Sequence, residues 1–170
     1  MKRSLVRWDS PVLKERAVEV GELDSGILTL LEEMEEIMFL EGGVGISAPQ
    51  VGVSMRIMII TDGEKRLLKM INPEVISAEG REEVSIEGCL TYPGLFLGVW
   101  RPLFLRAKWR NELGGWEEET LEGTLAKVFW HELDHLNGVT LRNRASNLKW
   151  NRWLKMEKEK TLPRLTRAAR

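Results

Sequence analysis

The sequence predicts an α+β fold on three observations: an amphipathic helix near the N-terminus, a middle stretch of short β-like runs cut by turn residues, and a histidine-bearing helix after them. Strands grouped between helices, rather than alternating with them, argue for this class. The expected arrangement is short antiparallel sheets packed around a central helix carrying His131-Glu132-Leu133-Asp134-His135, with an N-terminal amphipathic helix and a C-terminal basic helix. At 170 residues, 43% hydrophobic and 30% charged, the chain suits one domain with a core of its own.

The first helix is signalled by Asp24 or Ser25 as a cap and by Ile27, Leu30, Leu31, Met34, Ile37 and Met38, which follow the three-to-four repeat of a core-facing stripe up to Gly42-Gly43. A glycine-rich segment, Gly43 to Gly52, leads into a β-like run from Met55 to Thr61. The turn signal Asp62-Gly63 then predicts a hairpin to Leu67–Ile71. Further runs at Glu74–Ala78, Glu83–Ile86, Leu95–Trp100 and Leu103–Trp109 are broken by Asn72-Pro73, Pro93-Gly94, Arg101-Pro102 and Gly114-Gly115. Thr124 to Asn137 reads as the histidine helix, ended by Gly138. A last helix over about Asn147 to Lys160 carries Leu148, Trp150, Trp153 and Leu154, with Pro163 beyond.

The chain shows no repeat, no low-complexity tract, no apolar run suited to a signal peptide and none approaching a membrane span. A single cysteine excludes an internal disulfide, and a thiolate kept for a metal needs a reducing compartment, so a cytoplasmic protein without membrane attachment is expected. Net charge is −1, but Arg142 to Arg170 holds ten basic residues against Glu157 and Glu159, a local +8 that leaves −9 for the rest. Such an end can touch RNA or an acidic surface, or can simply be a solvated helix face.

Both histidines of the chain lie in one pentapeptide. Four residues apart on a helix they share a face and can grip one metal ion, with Glu132 beside them to move protons. A pair at this spacing can also be core or surface; the absence of any other histidine and the apolar run Leu125 to Trp130 favour the metal. Two histidines leave the ion under-coordinated. Cys89, in Glu87-Gly88-Cys89-Leu90, is the favoured third ligand, because a Cys/His/His set leaves one position open for water, as a catalytic centre requires. The rival is a downstream carboxylate, Glu157 or Glu159, as in zinc endopeptidases, but Lys155 to Lys160 reads as a charge-alternating exposed helix end.

Three segments, Gly43-Val44-Gly45-Ile46-Ser47-Ala48-Pro49-Gln50, Glu87-Gly88-Cys89-Leu90-Thr91 and His131-Glu132-Leu133-Asp134-His135-Leu136-Asn137-Gly138, resemble the signature motifs of peptide deformylases, in that family's order and at about its spacing. The resemblance runs from about Asp9 to about Asn147. It implies removal of the formyl group from N-formylmethionyl peptides of nascent proteins, with residues 1–147 as the catalytic part and 148–170 as a basic helix and tail extending the same domain. By motif, Cys89, His131 and His135 would hold the metal and Glu132 would be the general acid/base. Gln50 and the backbone N–H of Leu90 would face the carbonyl oxygen, and Gly45 and Ile46 would pair with the substrate backbone.

Helix periodicity puts Thr124, Lys127 and Val128 on the face of His131, so with Val44 they are expected to line a methionine pocket, though Val44 and Val128 would serve equally as plain core. The resemblance implies one divalent ion, Fe²⁺ in the cell, replaceable by Zn²⁺, Ni²⁺ or Co²⁺, since affinity orders favour zinc or nickel over iron. It also implies a ribosomal RNA contact through Arg142, Arg144, Lys149, Arg152, Lys155, Lys158, Lys160, Arg164, Arg167 and Arg170, with Trp150, Trp153 and Leu154 fastening the helix. A monomer is expected. The chain departs from the family's usual residues at Trp130 (glutamine), Ser47 (alanine) and Thr91 (serine); a tryptophan beside a metal-binding histidine bears on metal tuning. A non-catalytic metal-binding or ribosome-docking module is the remaining alternative.

Overall fold

The run Ile57-Met58-Ile59-Ile60-Thr61 is apolar on both alternating faces, which suits a strand covered on both sides. In the computed structural model, which describes residues 3–161, it is strand β2 at the heart of the molecule, every residue buried. The described elements are helix α1 (Ser25–Leu40), β1 (Gly45–Ser47), β2 (Ile57–Thr61), β3 (Leu67–Cys89), β4 (Tyr92–Arg110), β5 (Trp116–Glu122), α2 (Gly123–Leu136), the short α3 (Leu141–Arg144) and α4 (Asn147–Thr161), with 3-10 turns at Pro11–Lys14 and Ala48–Val51. The strands form one antiparallel sheet in the order β1-β2-β3-β4-β5. The class is α+β.

Helices cover both faces of β2. Ile57 and Ile59 join Leu30, Leu31, Met34, Ile37 and Met38 of α1 in one cluster, while Met58 and Ile60 join Leu125, Ala126, Phe129, Leu133 and Leu136 of α2 in another. The six apolar residues of the α1 stripe are all buried, and the Asp24 carboxylate caps that helix by accepting from the Ile27 N–H at 2.9 Å. Each such side chain removed from water contributes roughly 1.5–3 kcal/mol, so the two helices are fixed to the sheet by packing.

The middle of the chain differs from the expected set of short strands. Five runs fuse, three into β3 of 23 residues and two into β4 of 19, because Asn72-Pro73 is absorbed as a register slip and Arg101-Pro102 stays within the pairing. Asn72 adopts φ 53°, and the slip between Ile71 and Glu74 is held by its side-chain amide, which accepts from the Val20 N–H and donates to the Val20 carbonyl, both at 2.8 Å. Pro102 lies past the end of β5, whose pairing stops at Phe104, so no third strand flanks it. Strand β5 was not expected at all. Its Glu118 stands opposite Lys108 of β4 and in an ion pair with Arg106, and Leu121 plugs it into the core.

A third cluster fastens α4. Trp150 and Trp153 stack at 4.9 Å, Trp8 meets both edge-on, and all three pack with Tyr92, Leu95, Leu97 and Val99 of β4. The Trp153 indole donates to the Pro93 carbonyl at 3.0 Å. Arg164, Arg167 and Arg170 of the expected basic tail lie outside the described residues. Among the described residues no helix is long and apolar enough to cross a membrane.

Candidate metal centre

Helix α2 brings His131 and His135 onto one face, with ring centroids 5.1 Å apart, and presents that face to the end of β3, where Cys89 sits at the turn into β4. The Cys89 Sγ is 3.2 Å from His135 Nε2, and the ligand atoms of Cys89, His131 and His135 all lie within 4.8 Å of one another. His131 is oriented from behind: its Nδ1 faces Glu87 Oε2 at 2.9 Å, which leaves Nε2 toward Cys89. Glu87 is itself gripped by Arg101 through two contacts of 2.7 and 2.9 Å. Among the described residues no other His/Cys/Asp/Glu group is so arranged, and Glu157 and Glu159 on α4 are not part of this one.

The electrostatics suit a metal. Burial works against ionising the Cys89 thiol, yet the two histidines outweigh it and hold the thiol well below its ordinary value. Burial also opposes the charge on Glu87, but hydrogen bonds from Arg101 and His131 win and bring its carboxyl to about 2. A thiolate and two imidazoles, one backed by a fixed carboxylate, fit one soft or borderline divalent ion. The chain has no further Cys or His, so an ion held by these three would keep a position for water or substrate.

Glu132 stands beside this set, 3% exposed, and its Oε2 has no hydrogen-bond partner. Burial foremost, with the nearby Cys89, raises its carboxyl above the ordinary range against the pull of the histidines. Gly45 gives it room: a methyl there would meet Val128 Cγ1 at 2.5 Å and Glu132 Oε1 at 2.6 Å.

Gln50 faces the same atoms from the turn Ala48–Val51. Its Oε1 accepts from the Ser47 N–H at 2.9 Å and the Ser47 hydroxyl at 3.1 Å, so its Nε2 points to Thr91 Oγ1 at 3.2 Å and Cys89 Sγ at 3.5 Å. Two of the three departures from the family's usual residues, Ser47 and Thr91, therefore hold this amide. Trp130, the third, packs half-buried against the α2 cluster, edge-on to Phe129, with its indole N–H buried and unpartnered.

A cavity of about 600 Å³ opens onto these groups. Of the residues singled out in the sequence, Val44, Gly45, Gln50, Cys89, Leu90, Thr124, Lys127, Val128, His131 and Glu132 line it. His135 lies behind, 1% exposed. Ile46 does not line it: its side chain is in the α1 cluster, because residues of a strand alternate sides. Sequence reasoning missed Ile86 and Phe96 on the cavity wall and the roles of Glu87, Arg101 and Asp134 behind it. Local spacing gives no signal for Arg101, which sits at the Arg101-Pro102 break between two β-like runs.

An HExxH helix laid across an antiparallel sheet, a thiolate donor at a strand end and a buried carboxyl with one unpartnered oxygen beside them define the class of an α+β metallohydrolase. The family described as polypeptide deformylase matches residues 2–151. The peptide deformylase of Caldanaerobacter subterraneus subsp. tengcongensis is 44% identical over 137 residues, spanning 81% of this chain and 85% of its own. Among solved structures, a peptide deformylase from Legionella pneumophila superposes with a TM-score of 0.88 at 33% identity, covering 98% of this chain and 100% of that one. The Synechococcus elongatus enzyme, solved in complex with actinonin, gives 0.85 at 32%, covering 92% and 88%. The chain belongs to the polypeptide deformylase family.

Proposed function

We propose that this chain hydrolyses the formyl amide of N-formylmethionyl peptides of nascent proteins, releasing formate and a free N-terminus. The observation that carries this reading is the convergence, in one cavity, of Cys89, His131, the buried Glu132 carboxyl with its unpartnered Oε2 and the Gln50 amide. Cys89, His131 and His135 would hold a divalent ion, which would supply Lewis acidity toward the carbonyl and the attacking water.

Glu132 takes a proton from the attacking water and returns it to the leaving nitrogen. Burial suits it to the first task, since a carboxyl raised above its ordinary range is a stronger base toward water, and the far more basic leaving amine still takes the proton from it. The Gln50 amide and the Leu90 N–H donate to the carbonyl oxygen as charge grows there. Losing one such donor costs about 3 kcal/mol. Val44, Val128, Thr124 and the stem of Lys127 form the wall for the methionine side chain, and the backbone at Gly45 and Ile46 pairs with that of the peptide.

Fe²⁺ is the ion in the cell, with Zn²⁺, Ni²⁺ or Co²⁺ able to replace it; iron found in protein purified without oxygen supports this, and zinc alone counts against it. The chain works as a monomer in the cytoplasm, with 1–147 as the catalytic part and 148–170 as its basic extension. Contact with ribosomal RNA falls to Lys149, Arg152, Lys155, Lys158 and Lys160, which are exposed on α4. Arg142 and Arg144 contribute less, since one stacks on Trp150 at 4.9 Å and the other pairs with Asp134. Replacing Lys155, Lys158 and Lys160 by glutamate should lower co-sedimentation with ribosomes at low salt. Unchanged binding overturns the contact.

The activity itself is tested by formate release from formyl-Met-Ala-Ser, with metal measured on the same sample. Glu132→Gln should bind metal and turn over no peptide, and normal turnover by it sinks the mechanism. Cys89→Ala should lose the metal; retention would favour the endopeptidase reading.

A further inference from the structure

Behind His131 the charges do not stop at Glu87. Arg101 Nη2 also contacts Asp134 Oδ2 at 2.9 Å, and Asp134 is held by Arg144 through two further contacts, Nε to Oδ2 at 2.9 Å and Nη2 to Oδ1 at 2.8 Å. An alternating series, Arg144, Asp134, Arg101, Glu87, thus runs from the surface to the imidazole. Side-chain exposure falls along it, from 35% at Arg144 through 19% at Asp134 to 5% at Arg101 and 6% at Glu87. The inner members are therefore little screened by water, and each depends on its neighbours for its direction.

We propose that Arg144, on α3, is a positioning residue for the metal-ligating His131, acting through Asp134, Arg101 and Glu87. The reason is competition for one guanidinium. Arg101 Nη2 is shared between Glu87 Oε2 and Asp134 Oδ2, both at 2.9 Å. With Arg144 present, the Asp134 carboxylate is claimed on both oxygens by a planar fork, and its hold on Arg101 is limited. Without Arg144, Asp134 turns its full charge on Arg101 and draws the guanidinium from Glu87, which alters the carboxylate that aims the His131 ring. Residues that orient a ligand directly are worth about 10- to 100-fold in metal affinity. Arg144, three contacts removed, is expected to be worth about three- to tenfold.

The inference rests on reading Cys89, His131 and His135 as a metal site, and the test separates the two. Co²⁺ affinity and the visible spectrum of the Co²⁺-loaded protein are measured for the native chain, Arg144→Leu, Glu87→Gln and the double variant. Arg144→Leu should weaken Co²⁺ about three- to tenfold and shift the spectrum, yet add less than about twofold once Glu87 is gone. Equal factors in both backgrounds, or no effect in either, overturn the proposal, since a merely structural arginine acts independently of Glu87. If Glu87→Gln does not fold, Asp134→Asn serves as the second background with the same expected outcomes. If the native chain binds no Co²⁺, the metal reading fails by itself. The nitrogen NMR shift of His131 Nδ1 in the metal-free protein then decides: it should move in Arg144→Leu only while Glu87 is present, and constancy overturns the proposal.

Discussion

A single methyl group at Gly45 should separate metal binding from catalysis. Carbon atoms rest about 3.5–4.0 Å apart, whereas a Cβ at this position would stand 2.5 Å from Val128 Cγ1 and 2.6 Å from Glu132 Oε1. The overlap with Val128 is therefore about 1 Å, and a valine in a helix has essentially one rotamer, so it cannot swing aside. Either α2 recedes from β1 or the Glu132 carboxyl is pushed off its place. Overpacking of this kind costs about 1–3 kcal/mol of stability, and a reacting group misplaced by about 1 Å loses about 100-fold in rate. The nearest atoms belong to Val128 and Glu132 and not to Cys89, His131 or His135, so Gly45→Ala should keep its metal. Steady-state formate release, metal analysis and urea unfolding on one preparation give all three quantities. Adding Val128→Ala should restore stability and leave the rate low. A Gly45→Ala protein that keeps kcat within about threefold of the native chain refutes the reasoning.

Gln50→Leu should bind metal normally and lose about 100- to 1,000-fold in kcat, because Gln50 serves the developing charge; metal loss would show that its role is misassigned. Glu87, held at about 2 against an ordinary 4.5, contributes about 3 kcal/mol that is present above the ordinary value and lost as pH falls toward the folded one. Glu87→Gln should flatten that dependence, and unfolding of the chelated proteins at about pH 6 and about pH 3 checks it, parallel behaviour being the contrary result. Trp153→Ala, which removes a side chain 4% exposed and its bond to Pro93, should cost about 3–5 kcal/mol. Lys155→Glu on the same helix should change stability by no more than about 0.5 kcal/mol, and denaturant midpoints compare the two.

The α1 stripe and the histidine helix were legible because burial on a helix repeats at a fixed period and both segments keep it. The Asp24 cap was legible for the same local reason. The fusion of the middle runs into β3 and β4 was not, since Asn72-Pro73 reads as an ending unless Val20, 52 positions away, is known to occupy the Asn72 amide. Strand β5 escaped because Glu117-Glu118-Glu119 shows no apolar alternation, and its partners, Lys108 opposite Glu118 and Arg66 paired with Glu119, lie elsewhere in the chain. At the site, donors within a motif could be named, but the Glu87–Arg101–Asp134 brace joins β3, β4 and α2, and local spacing carries no trace of it. Ile46 shows the converse: its motif is right, while the alternation of β1 sends its side chain away from the cavity.

The tryptophan clasp has a consequence for how the protein is made. Trp8 meets Trp150 and Trp153, so the inner side of β4, with Leu95, Leu97 and Val99, gains its cover only when residues almost a full chain length apart come together. Closing so large a loop is entropically costly and comes late. During synthesis the first two clusters can assemble from residues already released, while that side of β4 stays bare until α4 emerges. A chain stalled before Trp150 would present a sticky hairpin, and chaperone demand should peak at that point of translation.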